Sequence, residues 1–233
     1  MGRRPLYQTM NISIVTGTLN RCQLLSNLFK NTIESDPRLE LVLVDGGSTD
    51  GTIELIHQYG HPQIKLIEYG RRSSYPHFMN LGIKNASHEL ICQWNDDVIL
   101  QNTWQEVIDE IDEHDAYLFS WQNGVPGQQV ARWNLLNNAV NHSEIVMNYG
   151  IYKKDVFRKY GLYNPKYKYY CADGEMALRA YCGGAKFKNL PHIHVYSLPT
   201  GKLAQHQQSD GSVYYKDVRE YHKGNIDIVE KLK

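Results

Sequence analysis

Two adjacent carboxylates, Asp96 and Asp97, stand at the far end of an apolar run in the stretch ELICQWNDDVIL, Glu89 to Leu100. Neighbouring negative charges repel, and a folded chain tolerates them where solvent, a helix N-terminus or a divalent cation supplies the opposing charge. Hard cations such as magnesium and manganese favour carboxylate oxygens. The pair therefore points to one of two roles, the cap of a following helix or the seat of a metal ion. Two more polar clusters follow apolar runs in the same way, Thr16 to Arg21 and Asp45 to Gly51. A further acidic pair, Asp173 and Glu175 in YCADGEMALRAY, falls where a loop passes into helical periodicity, and the helix dipole favours negative charge there.

The elements that must position these groups read as strands alternating with helices. Asn11 to Thr16 is a short β-branched run, and Leu24, Leu25, Leu28, Phe29 and Ile33 recur at helical spacing. Leu39 to Val44 is a continuous apolar run of the kind buried on both faces of a sheet. Helix is expected over Ile53 to Tyr59, strand over Ile64 to Glu68, a loop and short helix over Tyr75 to Asn85, and strand over Leu90 to Trp94. Helix-like sequence follows Asp97, with Trp104, Val107, Ile108 and Ile111 on one side of a segment from Gln101 to Glu113. Ala116 to Trp121 reads as strand, Gln122 to Asn141 as polar loop and irregular strand, and Ile145 to Lys153 as strand. Asp155 to Tyr160 and Asp173 to Tyr181 read as helices, Lys186 to Leu190 as a last strand, the residues past Pro191 as a His-containing loop, and Tyr214 to Lys233 as a terminal helix. Parallel neighbours need crossover connections, so this alternation predicts a mostly parallel central sheet with helices on both faces. Ligands of such sheets bind beyond the carboxyl ends of the strands, where the three polar clusters fall together.

At 233 residues, with 42% hydrophobic and 21% charged, the chain is long enough for one sizeable core. The expected division is a tail over 1–10, one α/β domain over 11–200 and a C-terminal loop and helix over 201–233. Lys plus Arg and Asp plus Glu both number 25, so there is no basic excess to hold nucleic acid. The four cysteines, Cys22, Cys92, Cys171 and Cys182, form no CxxC, which argues against a zinc site or a disulfide framework. No apolar run reaches the roughly eighteen residues of a membrane span, and MGRRPLYQTM lacks a signal-peptide core. The expectation is a cytoplasmic chain that acts at a membrane surface, if at all, through its substrate. Walker-type and GxGxxG glycine loops are absent, as are GxSxG and HExxH. Trp94, Trp121, Trp133 and the seventeen tyrosines offer either core or sugar-stacking surface.

SIVTGTLNR at Ser13 to Arg21, LVDGGSTDGT ending at Thr52, NDD at Asn95 to Asp97 and ADGEMALRA at Ala172 to Ala180 together resemble the ordered landmarks of family-two nucleotide-sugar glycosyltransferases. The resemblance implies a single Rossmann-like domain of the A-type glycosyltransferase fold. It implies an inverting, metal-dependent transfer of a sugar from a nucleotide diphosphate, UDP or another, to a hydroxyl of a glycan or lipid-linked acceptor. On this likeness 11–100 is the nucleotide-binding half of the domain and 101–200 the acceptor-binding half; Thr16 and Thr18 lie near the nucleotide, Asp45 accepts from the base, Asn95 contacts the donor, Asp96 holds the ribose hydroxyls, and Asp97 holds Mn2+ or Mg2+. Arg71 or Arg72 approaches the diphosphate, and His192 or His194 adds a metal or phosphate contact. Asp173 is the base that deprotonates the acceptor, with Glu175 beside it on the acceptor; a helix-capping role is the alternative for Asp173. Three positions depart from the family pattern: Trp94 with Asn95 lacks the earlier acid of a fuller motif, Gly46 replaces the second acid of VDDGS, and Ala172 replaces the Glu before Asp173. The rival readings are a catalytically silent nucleotide- or carbohydrate-binding module on the same fold, and a sugar nucleotidyltransferase. The latter needs a glycine-rich basic loop that GTLN at Gly17 to Asn20 does not supply.

Overall fold

The computed structural model describes residues 10–123, 149–168 and 171–198. The expected polar loop after Asn123, the first residues of the Ile145 to Lys153 strand and the terminal helix lie outside them.

Four strands and their crossovers build the first half: β1 (Ile12–Thr18), α1 (Cys22–Asn31), β2 (Leu39–Asp45), α2 (Thr52–Tyr59), β3 (Ile64–Glu68), α3 (Tyr75–Asn85) and β4 (Leu90–Gln93). The second half continues as β5 (Val98–Leu100), α4 (Trp104–Asp109), β6 (Ala116–Asn123), β7 (Gly150–Lys153), α5 (Lys154–Tyr160), α6 (Ala172–Cys182) and β8 (Phe187–Ser197). All eight strands join one sheet in the order β3-β2-β1-β4-β7-β6-β8-β5. β3, β2, β1 and β4 are mutually parallel; β7 joins β4 antiparallel, and β6 and β8 are again parallel. The chain runs outward from β1 through β2 to β3 and then crosses to the other side of β1 as β4. The order therefore reverses between β1 and β4, the crevice where α/β sheets bind ligands.

Alternation along the strands divides the core into two layers. Ile12 and Ile14 of β1 pack with Leu25, Leu28 and Phe29 of α1 and with Trp104 and Val107 of α4, while Val15 packs with Met79 and Ile83 of α3 and with the layer that holds α5 and α6. Gly82 lets α3 approach β1, because a Cβ there would collide with Val15 Cγ1. Gly82→Ala is accordingly expected to cost about 1–3 kcal/mol by overpacking. Thermal denaturation checks this at roughly 2–4 °C per kcal/mol for a chain of this size; an unchanged melting temperature would show that α3 slides freely.

Two sequence expectations are corrected. Helix does not follow Asp97: Val98–Leu100 pairs antiparallel with the end of β8, and the helix begins only at Trp104. That helix has its own capping box, with Thr103 Oγ1 accepting from Glu106 N–H at 3.3 Å and Glu106 accepting from Thr103 N–H at 2.7 Å. Asp96 and Asp97 therefore cap nothing. Nor does the last strand end at Pro191. β8 runs on to Ser197, and the register with β6 jumps from Phe119↔Leu190 to Ser120↔His194, so the proline, which has no N–H for the ladder, sits in the bulge between them. Trp94 is fully buried against Trp104 in the core and is no sugar platform.

Candidate active site

The motif DGGSTDGT is a brace between two loops. Asp45, wholly buried at the end of β2, accepts from Gly47 N–H at 2.6 Å and Ser48 N–H at 3.0 Å, and its other oxygen from Ser48 Oγ at 2.5 Å. Ser48 Oγ in turn accepts from Asn20 N–H, and Asn20 Oδ1 accepts from Thr49 N–H, both at 2.8 Å. Asp50 accepts from Cys22 N–H at 3.1 Å, and Thr52 Oγ1 from Arg21 N–H at 3.0 Å. Gly46 N–H donates across to Thr18 carbonyl at 2.9 Å. The acids and hydroxyls of the second loop thus hold the backbone of the first, with Asn20 in left-handed geometry at φ 54°. The departure at Gly46 has a packing cause: a Cβ there would lie 3.3 Å from Phe78 Cζ, so the ring takes the space a second acid would use.

The braced loop delivers Thr18 and Arg21 to the carboxylates across the crevice. Thr18 Oγ1 donates to Asp96 Oδ2 at 3.0 Å, and Arg21 Nε lies 3.4 Å from Asp96 Oδ1. Thr16, two residues back on β1, is buried and donates to Gly17 carbonyl at 3.1 Å. Burial pushes the Asp96 acid up to about 7, with Arg21 opposing and the charge of Asp97 adding to the rise. Asp97 is likewise raised by burial and opposed by Arg21, and among the described residues no neighbouring side chain donates a hydrogen bond to it. A pair of half-buried carboxylates, one of which meets Arg21 and no other cation among the described residues, is short of positive charge. The donor set is oxygen only, and no group of three His, Cys, Asp or Glu side chains gathers among the described residues. That suits magnesium or manganese, which bind through one or two carboxylates with phosphate and water oxygens completing the shell.

The raised acid has a consequence for stability. A carboxyl whose folded value exceeds its unfolded one favours the fold while protonated; the contribution is full below about pH 4 and is lost as pH rises through about 7. Without nucleotide or cation, the protein is expected to lose of the order of 2 kcal/mol between pH 5 and pH 8, and Asp96→Asn to remove most of that loss. Denaturant titrations at the two pH values test this, and an equal loss in the variant would place the pH dependence elsewhere.

Asp173 is buried, 5% exposed, at the start of α6, where Cys171 turns the chain in with a left-handed φ of 63°. The phenols of Tyr75, Tyr149, Tyr152 and Tyr163 are held above the ordinary tyrosine range by burial and, among other causes, by the charge of Asp173. For Tyr149 the charge of Asp97 is, after burial, the next largest cause of the shift. The Tyr149 hydroxyl accepts from Asn95 Nδ2 at 3.2 Å. Sequence reasoning missed Tyr149, which meets Asn95 beside the carboxylate pair; among seventeen tyrosines, nothing in the pattern singles it out. Arg21 was within a recognised cluster but had no role of its own.

Other candidates lie elsewhere or are otherwise engaged. Both Glu175 oxygens hold Arg179, at 2.9 and 3.0 Å, and Arg179 also donates to the carbonyls of Tyr160, Gly161 and Leu162, so this carboxylate fixes α6 to the end of α5. His194 carbonyl accepts from Gln101 N–H, whereas Asp97 carbonyl accepts from Leu198 N–H, four residues farther along β8. That is about 13 Å of extended chain, and the strands do not bring His194 to Asp97. His192 pairs with Glu110 at 2.9 Å on the surface. Arg71 donates to Tyr69 Oη at 2.9 Å, and Arg71 and Arg72 are exposed beyond β3.

A parallel half-sheet whose switch point carries a carboxylate pair, with an antiparallel half beside it, defines a Rossmann-like domain of the A-type glycosyltransferase fold. The chain belongs to glycosyl transferase family 2, whose family model matches residues 13–181. It is similar to the crystal structure of S. aureus TarS 1-349 in complex with UDP-GlcNAc, with a TM-score of 0.70 and 21% identity over 89% of this chain and 64% of that one. It is similar also to the mannosyltransferase PcManGT from Pyrobaculum calidifontis in complex with GDP-Man and Mn2+, with a TM-score of 0.71 and 17% identity over 96% of this chain and 66% of that one. The chain spans just under two thirds of either neighbour. No curated protein sequence matches it. No described helix is long and apolar enough to cross a membrane.

Proposed function

We propose that this protein transfers a sugar from a nucleotide diphosphate donor to a hydroxyl of a glycan or lipid-linked acceptor, with inversion at the anomeric carbon. The observation that carries the reading is the meeting of Thr18 and Arg21 with Asp96, beside Asp97, at the switch-point crevice of a family-two domain. A single in-line displacement inverts the anomeric centre and needs a base on the face opposite the departing diphosphate. We assign that base to Asp173, a buried acid at the start of α6. On the donor side, Thr18 ends β1 at the crevice with Thr16 buried two residues behind it, Asn95 meets the donor, Asp96 serves the ribose, and Asp97 would hold Mn2+ or Mg2+. The bound cation would neutralise charge on the leaving diphosphate. Asp45 contributes to the base pocket chiefly by shaping the second loop, since its oxygens already accept from Gly47 and Ser48. The neighbours with UDP-GlcNAc and with GDP-Man and Mn2+ recommend UDP- and GDP-sugars as the first donors to test.

The deciding experiment measures donor hydrolysis and transfer over a panel of UDP- and GDP-sugars, with manganese, magnesium and chelator. Turnover with at least one donor supports the reading. Tight nucleotide binding without turnover, on any acceptor offered, favours the catalytically silent module.

A further inference from the structure

We infer that Arg21 binds the diphosphate of the donor, an assignment that rests on the donor reading above and gives that site its anion-recognition residue. The backbone at Arg21 is held from behind: its own N–H donates to Thr52 Oγ1, the next N–H to Asp50 Oδ2, and Asn20 is tied to Ser48 and Thr49. Arg21 therefore leaves the β1 end at a fixed point, and its side chain turns across the switch-point crevice toward β4. There Nε stands 3.4 Å from Asp96 Oδ1, a charge contact longer than a good hydrogen bond, while Thr18 satisfies the other oxygen. Neither Nη group makes a hydrogen bond among the described residues, and the side chain keeps 19% of its exposure. Its paired N–H groups form a planar fork that matches phosphate oxygens.

Charge leads to the same residue. Asp96 and Asp97 with the diphosphate of a nucleotide sugar carry about four negative charges, and one divalent cation offsets two of them. Arg21 is the cation that bears on both carboxylates. The arginines after β3 are worse placed: β3 is two strands from β1 in the sheet, about 10 Å away, and Arg71 lies over the Tyr69 ring at 5.0 Å.

The test is to titrate wild type, Arg21→Gln and Arg21→Lys with UDP, uridine, GDP and guanosine in magnesium, using protein-observed NMR for the weak nucleosides. For whichever base binds, Arg21→Gln is expected to weaken the nucleoside diphosphate by about tenfold or more and the nucleoside by less than about twofold. Arg21→Lys, which keeps the charge facing Asp96 but lacks the fork, is expected to show a smaller loss confined to the diphosphate; it decides the matter if the Gln variant does not fold. Equal losses for nucleotide and nucleoside would overturn the assignment and leave Arg21 as the group that aligns Asp96 on the ribose. Unchanged diphosphate affinity overturns it outright. Failure of wild type to bind either diphosphate overturns the donor reading itself, and the role of Arg21 with it.

Discussion

Asp173→Asn is expected to lower turnover by a factor of roughly 100 or more while donor affinity stays close to wild type, because the variant loses a base and little else. Asn keeps the size of the side chain and much of its ability to accept from backbone N–H groups at the start of α6, so the fold is expected to survive. The carboxylate is buried, 5% exposed, so a fixed negative charge there has little solvent to screen it. Thr18, Asp96 and Asp97, proposed for the donor side, stand at the end of β1 and just after β4 and need not move when Asp173, on α6, changes. Steady-state rates with a competent acceptor, beside donor titrations on the same preparations, separate the effects. Turnover near wild type would leave Asp173 as a helix-start acid; a matching fall in donor affinity would show that it organises the whole crevice rather than the proton transfer.

Asp97→Asn is expected to abolish most of the dependence of nucleotide diphosphate affinity on manganese or magnesium. In wild type, chelator should weaken binding by about tenfold or more, since a cation joining a carboxylate to two phosphate groups replaces repulsion with attraction. Removing the charge of Asp97 takes away a ligand and relieves the repulsion on Asp96, so the variant should bind with and without cation at affinities within about threefold of each other. Calorimetric titration with and without chelator reads this directly. Equal affinity in both conditions for the wild type would remove the metal from the site. Helix capping does not return as the explanation in that event, because Thr103 and Glu106 already cap the next helix.

Periodicity in the chain was sufficient for the parallel half of the fold. The β-branched run before Gly17, the apolar run before Asp45 and the helical spacing between them reproduce β1, α1 and β2 within a residue or two, because burial patterns and local dihedral preferences act over neighbouring positions. The strand-end clusters were legible for the same reason, as was their shared edge, which follows from parallel crossovers. Where the sequence misled, the competing force was long-range. Val98 to Leu100 is too short to show a period and becomes a strand only by pairing with β8, and Pro191 reads as a breaker until β6 accepts it in a bulge. Tertiary structure alone decided the uses of the polar groups. DGGSTDGT is recognisable at once, yet its side chains turn inward to brace the loop of Arg21; Glu175 looks like a site acid and is held by Arg179; Tyr149 carries no mark and meets Asn95, 54 residues away in the chain. Which charge lies within a few ångströms of which is set by strand order and register between segments tens of residues apart. Local patterning does not encode that distance, and the chemistry depends on it.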